Sequence, residues 1–207
     1  MLLHSQRDPL KIQSAKFELS AQSLETCPES ELPEFAFVGR SNVGKSSLLN
    51  VLSNQRALAR VSNTPGRTRE INFFTINGTW SLVDLPGYGF AKASKADRAR
   101  FNEFVSDYLA QRANLRCAFV LIDARHPPQK IDQDFVRWLV ENEIPFALVF
   151  TKADKVKPRV MGENIAQFRE AMDAWCEGSP PIFTTSAKTK DGRVELLNFI
   201  GTAVSQS

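Results

Sequence analysis

A chain of 207 residues, 43% hydrophobic and 24% charged, has the length and composition of one folded domain with a sizeable core. Its formal net charge of +3 is weakly basic, so charge alone does not indicate a nucleic-acid partner. No apolar run approaches the ~20 residues of a membrane helix, and the N-terminus has no sustained apolar core of a secretory signal, so we expect a cytoplasmic protein.

The three cysteines, Cys27, Cys117 and Cys176, lie far apart, are odd in number and form no CxxC pair. A disulfide framework or a zinc site is therefore not expected. Buried free thiols are the simpler interpretation.

Short apolar runs alternate with longer helical patterns along the chain. The runs predict β-strands at 35–38, 71–76, 80–84, 117–123, 145–150 and 181–185. The longer patterns predict helices at 45–54, 95–114, 130–142, 161–176 and 191–204. This alternation predicts an α/β fold with a mostly parallel sheet of six or seven strands and helices on both faces. We expect a single domain over 1–207, with a short N-terminal extension over about 1–15.

The connections between these elements carry their own signals. Residues 21–34 contain four glutamates and two prolines, which indicates a surface connection into the first central strand. The stretch 55–70 is polar and Arg-rich and predicts a mobile loop. Asn77-Gly78 is a strong two-residue turn signal and predicts a β-hairpin.

The helix predicted over 130–142 has a clear apolar stripe. Ile131, Phe135, Trp138 and Leu139 recur at helical spacing. The stripe predicts the face that this helix buries.

Residues 39–46, Gly-Arg-Ser-Asn-Val-Gly-Lys-Ser, match the pattern GxxxxGK[ST] between a predicted strand and a predicted helix. The glycines let successive backbone N–H groups curl around a phosphate, and the helix adds its positive N-terminal end. Lys45 would reach the β- and γ-phosphate oxygens, and the Ser46 hydroxyl would ligate Mg²⁺. The alternative, a glycine-rich turn that binds nothing, is disfavoured by the flanking strand and helix.

The stretch Thr151-Lys152-Ala153-Asp154 predicts the base that is bound. The Asp154 carboxylate can accept two hydrogen bonds from guanine, whereas adenine would leave it unpaired, and buried unpaired groups reject analogues strongly. Lys152 could lay its alkyl stem over the base, and 186–188 (Ser-Ala-Lys) could supply a backbone N–H for guanine O6. Taken alone, 151–154 could equally be a solvated charged loop.

Four loops, at 39–46, 84–87, 151–154 and 185–188, each follow a predicted strand. The carboxyl ends of parallel strands lie along one edge of an open sheet, where ligands bind. Their order therefore favours one guanine-nucleotide site over four unrelated loops.

With these elements in order, the sequence resembles the translation-factor-related P-loop GTPases from about residue 16 to 204, and among them the EngB (YihA/YsxC) family. The closer resemblance is carried by GRSNVGKSSLLN, NTPGRTREINFF, LVDLPGYGFAK, DARHPPQKID and TKADK. It implies a single G domain that binds GTP or GDP with Mg²⁺ and acts in assembly of the large ribosomal subunit. It also implies contact with ribosomal RNA and proteins and a need for the protein in normal cell division and septation. We expect a monomer without membrane contact.

Carried over residue by residue, the resemblance implies roles at the phosphate end. Lys45, Thr68 and Gly87 would act on the γ-phosphate. Ser46 and Thr68 would ligate Mg²⁺, and Asp84 would hold a metal-bound water. The implied nucleotide site comprises Gly39, Arg40, Ser41, Asn42, Val43, Gly44, Lys45, Ser46, Gly66, Arg67, Thr68, Arg69, Glu70, Asp84, Leu85, Pro86, Gly87, Thr151, Lys152, Ala153, Asp154, Thr185, Ser186 and Ala187.

Two of these assignments need comment. Thr68 rests on the Gly-Arg-Thr segment, and Thr64 is a nearby competitor. Thr151 stands where Asn is usual in GTPases, and that Asn helps tie the base to the phosphate loop. The threonine could cost some affinity without changing the preference for guanine.

Hydrolysis raises a separate question, because Tyr88 stands where a water-positioning Gln is usual. A phenol with a pKa near 10 is a poor general base, and the flanking glycines would let the ring swing away. We therefore expect slow intrinsic hydrolysis, accelerated by a partner or by a monovalent cation. Asn42 is the candidate potassium ligand, since related GTPases that lack the Gln use this position. The equal alternative is that Asn42 caps the loop through local hydrogen bonds.

Two basic stretches flank the predicted γ-phosphate contacts. They contain Arg56, Arg60, Arg67, Arg69, Lys92, Lys95, Arg98 and Arg100. Positive charge on segments that respond to the nucleotide would let GTP control contact with RNA phosphates. An ordinary solvated face is the alternative.

Two other classes of protein compete with a GTP-dependent switch. A P-loop ATPase or small-molecule kinase would need an adenine site or an acceptor lid, and 151–154 with 186–188 argues against it. A nucleotide-binding scaffold without useful hydrolysis stays open because of Tyr88.

Overall fold

The computed structural model describes residues 10–55, 57–58, 70–88 and 95–206, with only the backbone described over 95–102. The strands are β1 (Ala15–Ala21), β2 (Glu34–Gly39), β3 (Ile71–Ile76), β4 (Trp80–Asp84), β5 (Leu115–Asp123), β6 (Phe146–Thr151) and β7 (Ile182–Thr184). The helices are α1 (Lys45–Leu52), α2 (Lys95–Gln111), α3 (Lys130–Glu141), α4 (Pro158–Asp173) and α5 (Arg193–Val204).

These seven strands form one sheet in the order β1-β3-β4-β2-β5-β6-β7. The strands from β4 to β7 in this order pair in parallel, whereas β3 pairs antiparallel with both β4 and β1. Residues of α2, α3 and α4 pack into the core on one face, and residues of α1 and α5 pack into the core on the other. The predicted α/β fold, with a mostly parallel sheet between two helical layers, is confirmed.

Strand β1 is absent from the predicted strands. It lies at the edge of the sheet, where only β3 pairs with it, and only Ala15 and Ala21 of the strand are buried. Phe17 is 57% exposed and contacts Phe74 edge-on. A strand with so little buried surface lacks the apolar run that identifies the central strands.

The hairpin between β3 and β4 is present, but its loop has three residues and not the predicted two. Ile76 pairs with Trp80, so Thr79 joins Asn77 and Gly78 in the loop. Asn77 and Gly78 have φ values of +52° and +68°. Both residue types tolerate this left-handed conformation, which explains why the turn signal was informative.

Helix α4 begins at Pro158 and ends at Asp173, three residues earlier than predicted at each end. Proline is favoured in the first turn, where the backbone N–H that it lacks would have no intrahelical partner. Among the helices described, none combines the length and hydrophobicity that crossing a bilayer would need.

The buried face of α3 differs from the predicted stripe. Its buried residues are Asp132, Val136 and Leu139, whereas Ile131 is exposed and the two aromatic residues of the stripe are only partly buried. The buried face is rotated by about one residue from the predicted stripe and includes a carboxylate in the first turn of the helix. The predicted stripe was built from apolar residues alone and therefore missed that position.

Glu34 is buried at the start of β2, so the prediction of a surface connection over 21–34 is wrong for this residue. The carboxylate accepts hydrogen bonds from Arg112 Nη2 and from the Tyr108 hydroxyl, each at 2.7 Å. These two donors, at the C-terminal end of α2, make the burial of the charge tolerable.

All three cysteines are free, as predicted, but only two are buried. Burial raises the pKa of Cys27 to about 11 and that of Cys117 to about 12. Cys176 is partly exposed, which corrects the expectation that it is buried.

Candidate functional site

The carboxyl ends of four parallel strands bring the four predicted loops to one edge of the sheet. The strands end at Gly39, Asp84, Thr151 and Thr184. Side chains then join the loops in pairs: Lys45 with Asp84, Thr151 with Val43, Lys152 with Asn42, and Ser186 with Asp154. The loops that the sequence placed at one edge are therefore in direct contact.

The first loop turns tightly from β2 into α1. Gly44 precedes the helix with a φ of +105°, a conformation that favours glycine. Asn42 also has a positive φ, +64°, and is exposed. This turn presents the N-terminal N–H groups of α1 at the edge of the sheet, as an anion-binding loop requires.

Lys45 forms an ion pair with the buried carboxylate of Asp84 at the end of β4. A phosphate bound at the first loop would compete with Asp84 for this amine. The Ser46 hydroxyl and the Asp84 carboxylate are oxygen donors of the kind that Mg²⁺ prefers. No cluster of three His, Cys, Asp or Glu side chains among the described residues could hold a metal alone. A Mg²⁺ ion held by these two donors would need phosphate oxygens to complete its coordination.

Gly87 lies directly against the backbone of the first loop. A Cβ atom at this position would come within 2.6 Å of the Gly39 carbonyl oxygen and 3.4 Å of the Ser41 nitrogen, so a side chain would collide. The next N–H, that of Tyr88, donates to the same Gly39 oxygen at 3.3 Å. The buried Leu85 and Pro86 complete this turn. The backbone of 84–88 is thus packed on the first loop.

Thr151 connects the third loop to the first. Its hydroxyl donates a hydrogen bond of 2.6 Å to the Val43 carbonyl, with the Ile122 carbonyl as a second acceptor at 3.2 Å. The tie that GTPases usually make with Asn is made here by Thr. The effect on affinity stays a prediction.

Lys152 crosses between two loops in a left-handed backbone conformation, with a φ of +59°. Its Nζ donates to the Asn42 carbonyl at 2.6 Å and to Asp123 Oδ2 at 2.8 Å. Burial acts to raise the pKa of Asp123, but hydrogen bonds from Arg125 and Lys152 outweigh it and hold that pKa well below its usual range. Asp123 therefore stays ionised and fixes the Lys152 stem, a role that the sequence did not assign to it.

A cavity of about 360 Å³ opens between these loops, within the size range of small-molecule sites. It is lined by Gly44, Ser47, Leu48, Thr151, Lys152, Asp154, Lys155, Thr185, Ala187 and Lys188. Asp154 Oδ1 accepts a hydrogen bond of 2.7 Å from the Ser186 hydroxyl. The N–H of Ala153 donates to the Thr185 carbonyl at 3.0 Å. The cavity thus runs from the first loop to a carboxylate held in place by the fourth.

Tyr88 is packed against α3, whereas we expected its ring to swing free. The ring stacks on Phe135 with centroids 4.5 Å apart, and the hydroxyl donates to Asp132 Oδ1 at 2.9 Å. Burial, and then the neighbouring Asp132, raise the pKa of Tyr88 well above its ordinary value. The neutral phenol is unsuited to act as a base.

Asp132 is the residue that sequence reasoning missed most clearly. Arg40 Nε donates to its Oδ1 at 3.0 Å, alongside Tyr88. Its spacing to Val136 and Leu139, i, i+4 and i+7, places it on the buried face of α3. This spacing was the signal in the sequence from which the burial of Asp132 could have been predicted.

Several predicted site residues lie outside the residues that the structure describes: Thr64, Gly66, Arg67, Thr68 and Arg69, together with Arg56, Arg60 and Lys92 of the basic stretches. The side chains of Lys95, Arg98 and Arg100 are likewise outside the description. Glu70 is described just before β3, where its carboxylate accepts a hydrogen bond of 2.7 Å from Gln22.

Comparisons with known proteins identify the family of this chain. A family described as "50S ribosome-binding GTPase" matches residues 34–152. The probable GTP-binding protein EngB of Christiangramia forsetii is 49% identical over 192 residues, which cover 92% of this chain and 96% of that protein. The protein of the same name from Porphyromonas gingivalis is 47% identical over 191 residues, covering 92% and 95%.

Solved structures show the same fold. A crystal structure of a probable GTP-binding protein EngB matches with a TM-score of 0.67 and 26% identity, covering 84% of this chain and 100% of that one. Elongation factor SelB of Methanococcus maripaludis, bound to the GTP analogue GppNHp, matches with a TM-score of 0.62 and 18% identity over 87% of this chain and 35% of that one. With relatives 49% identical along nearly its whole length, the chain belongs to the EngB family of GTP-binding proteins and has their P-loop GTPase domain.

Proposed function

We propose that this protein is a GTP-dependent switch with slow intrinsic hydrolysis that acts in the cytoplasm in assembly of the large ribosomal subunit. The observation that carries the nucleotide assignment is the position of Asp154, held by Ser186 at a cavity that reaches the first loop. A carboxylate has further acceptor sites for the N1–H and the exocyclic amine of guanine. Adenine has neither of these two donors in the corresponding positions, so the carboxylate would be left without them.

Competition experiments test this assignment. GDP and GTP should displace a fluorescent N-methylanthraniloyl (mant) GDP, and ATP should not, because adenine leaves Asp154 unpaired. Effective displacement by ATP would overturn the guanine assignment.

At the phosphate end, Lys45 and the N–H groups of 39–46 would hold the β- and γ-phosphates. Ser46, and Asp84 through water, would face Mg²⁺, with Thr68 as a further ligand. The ion supplies charge neutralisation for phosphoryl transfer when it is bound. Chelation of Mg²⁺ should therefore weaken mant-GDP binding, and unchanged affinity would contradict this ligand set.

Slow hydrolysis follows from Tyr88, which is neutral and packed on α3. The water would then be positioned by other groups. Potassium held at Asn42 is one candidate, and a group supplied by the partner is the other. Single-turnover hydrolysis in sodium, in potassium and with ribosomal particles separates them. Equal, slow rates under all three conditions would contradict both candidates and favour the alternative, a nucleotide-binding scaffold without useful hydrolysis.

The proposed partner is the large ribosomal subunit or its precursor. The family that matches this chain is described as ribosome-binding, and in the sequence two basic stretches flank the proposed γ-phosphate contacts. Co-sedimentation with large subunits should depend on GDP versus GppNHp and fall steeply with salt. Binding indifferent to both nucleotide and salt would count against the proposal.

The need for this protein in cell division and septation would follow from failed ribosome assembly. On depletion, large-subunit precursors should accumulate before septation defects appear. Septation defects in cells with a normal ribosome profile would contradict the proposal that septation fails because ribosome assembly fails.

A further inference from the structure

A buried carboxylate on α3 links two loops of the nucleotide site. Asp132 Oδ1 accepts hydrogen bonds from Arg40 of the first loop and from the hydroxyl of Tyr88, which follows the Asp84–Gly87 turn. The Asp132 side chain is 0% exposed, and its Oδ2 has no partner within the described part of the chain.

A buried ion pair at this position is weak evidence for a role in stability. Replacing a buried ion pair by apolar residues of similar volume is often neutral or stabilising, and Val136 and Leu139 on the same face show that apolar packing is available. The carboxylate fixes the positions of two loops relative to α3, because one of its oxygens accepts hydrogen bonds from donors on both loops. A positional role accounts for that arrangement.

Tyr88 is restrained from both sides. Its N–H donates to the Gly39 carbonyl, and its backbone bridges to Arg40 in parallel fashion. Its ring stacks on Phe135, with an interplanar angle of 25°. The hydroxyl bond to Asp132 is a further restraint on the ring.

This restraint reaches Gly87 through one planar peptide bond. Gly87 lies 3.4 Å, measured from its ideal Cβ position, from the Ser41 nitrogen of the first loop. Under the proposed function, the Gly87 N–H contacts the γ-phosphate. We propose that Asp132 is a positioning residue that holds Tyr88, and through it Gly87, ready for the γ-phosphate of GTP.

The inference rests on the proposed function and predicts a difference between nucleotides. Preorganising a contact raises affinity because the loop need not be ordered on binding. GDP lacks the γ-phosphate, so loss of the anchor should weaken GTP binding and spare GDP. A purely structural role would weaken both alike.

Equilibrium titrations with mant-GDP and mant-GppNHp test this on the full chain. Tyr88→Phe removes only the hydroxyl and keeps the stacked ring. Asp132→Leu replaces the carboxylate by a bulkier apolar side chain of similar length and removes the acceptor. Asp134→Asn is the matched control, because it removes a carboxylate from the same helix at an exposed ion pair with Lys130.

We expect Tyr88→Phe to weaken mant-GppNHp binding by about three- to tenfold, the worth of one hydrogen bond. Asp132→Leu also removes the bond from Arg40 and should weaken mant-GppNHp binding at least as much, with mant-GDP within about twofold in both variants. The double variant should be no weaker than Asp132→Leu alone, because Asp132→Leu already removes the bond between Tyr88 and Asp132. Asp134→Asn should change neither affinity. Unchanged mant-GppNHp binding, or equal loss for both nucleotides, overturns the inference.

If Asp132→Leu does not fold, Tyr88→Phe decides the question alone. Failure of the wild-type protein to bind either mant nucleotide would instead overturn the proposed function. The two failures are therefore distinguishable.

Discussion

The hydroxyl of Thr151 donates a 2.6 Å hydrogen bond to the carbonyl of Val43, and both residues are buried. The bond joins the end of β6 to the first loop, 108 residues away in the chain. The base end and the phosphate end of the candidate site are therefore held in one fixed arrangement. A threonine makes this link in the place of the longer asparagine.

Thr151→Val should test the link, because it keeps the shape and removes the donor. The Val43 carbonyl would lose a buried hydrogen bond, at a cost of about 1–3 kcal/mol in the free energy of unfolding. We expect a lower Tm and a parallel loss of affinity for mant-GDP and mant-GppNHp. Thr151→Ser retains the hydroxyl and should stay close to wild type in both measurements. A serine variant as weak as the valine variant would contradict the role of the bond.

Asp154→Asn should change which base is bound. An amide can donate a hydrogen bond where the carboxylate can only accept, so it suits the C2 carbonyl of xanthine better than the amine of guanine. We expect GDP affinity to fall by about a hundredfold or more and xanthosine diphosphate to bind the variant. Isothermal titration calorimetry with both nucleotides measures this. If the variant keeps its preference for GDP, the base does not bind at Asp154.

Asp123→Asn should loosen Lys152 without altering the phosphate contacts. Lys152 would lose its charged acceptor and keep the Asn42 carbonyl, with a neutral amide oxygen in place of the carboxylate. We expect GDP and GppNHp to weaken by a similar factor of about five, since a charge-assisted hydrogen bond is worth about 1.5–3 kcal/mol and part of it is replaced. This differs from the Asp132 variants, where only GppNHp should weaken.

The same residue predicts a pH dependence of stability. Because Arg125 and Lys152 hold the pKa of Asp123 below its usual range, its carboxylate stabilises the fold above the unfolded-state pKa of about 3.9. That contribution is lost as the pH falls below this value and the folded carboxyl takes up its proton. The difference in Tm between wild type and Asp123→Asn should therefore shrink from neutral to acidic pH. A constant difference would show that the charge is not responsible.

The main lines of the fold and of the site could be predicted because they depend on local signals in chain order. Apolar runs identified the six strands other than β1, and parallel topology then placed the four loops at one edge. Lys45, Asp84, Thr151 and Asp154 each follow or end a predicted strand. Their meeting is a consequence of topology and needs no knowledge of side-chain packing.

The parts that were missed depend on packing between distant segments. Arg40 and Asp132 are 92 residues apart, and nothing local to either residue indicates the other. Asp123 reaches Lys152 across neighbouring strands in the same way. A search for apolar patterns assigns such carboxylates to the surface, because the pattern contains no information on the hydrogen-bond donors that distant segments bring to them. Residues that position the site are therefore harder to predict than residues that line it.

The cysteines should differ in reactivity. A thiolate is the reactive form, and burial raises the pKa of Cys27 to about 11 and of Cys117 to about 12. Cys176 is partly exposed, although its pKa is also raised by burial and then by Asp173. In native protein at pH 8, iodoacetamide should modify Cys176 first, as followed by peptide mass spectrometry. Equal labelling of all three would indicate that the core opens on the labelling timescale.

The pair of Glu34 and Arg112 should matter for stability and not for nucleotide binding. Arg112 donates from Nε and Nη2 to the Glu34 carboxylate at 2.7–3.1 Å, and from Nη2 to the Pro28 carbonyl at 2.6 Å. Arg112→Leu would leave the buried carboxylate with the Tyr108 hydroxyl as its remaining side-chain donor among these groups. We expect the free energy of unfolding to fall by about 3–5 kcal/mol, measured by urea denaturation.

Arg137→Leu is the matched control, because Arg137 pairs with Glu141 on the exposed face of α3. Removing that pair should cost only about 0.3–0.5 kcal/mol. Adding Glu34→Gln to Arg112→Leu should recover part of the loss, since the amide removes the uncompensated charge and still accepts from Tyr108. Glu34 begins β2 and Gly39 ends it, so the variants that remain folded should bind mant-GDP like wild type. Equal costs for Arg112→Leu and Arg137→Leu would mean that solvent, and not Arg112, compensates the charge of Glu34.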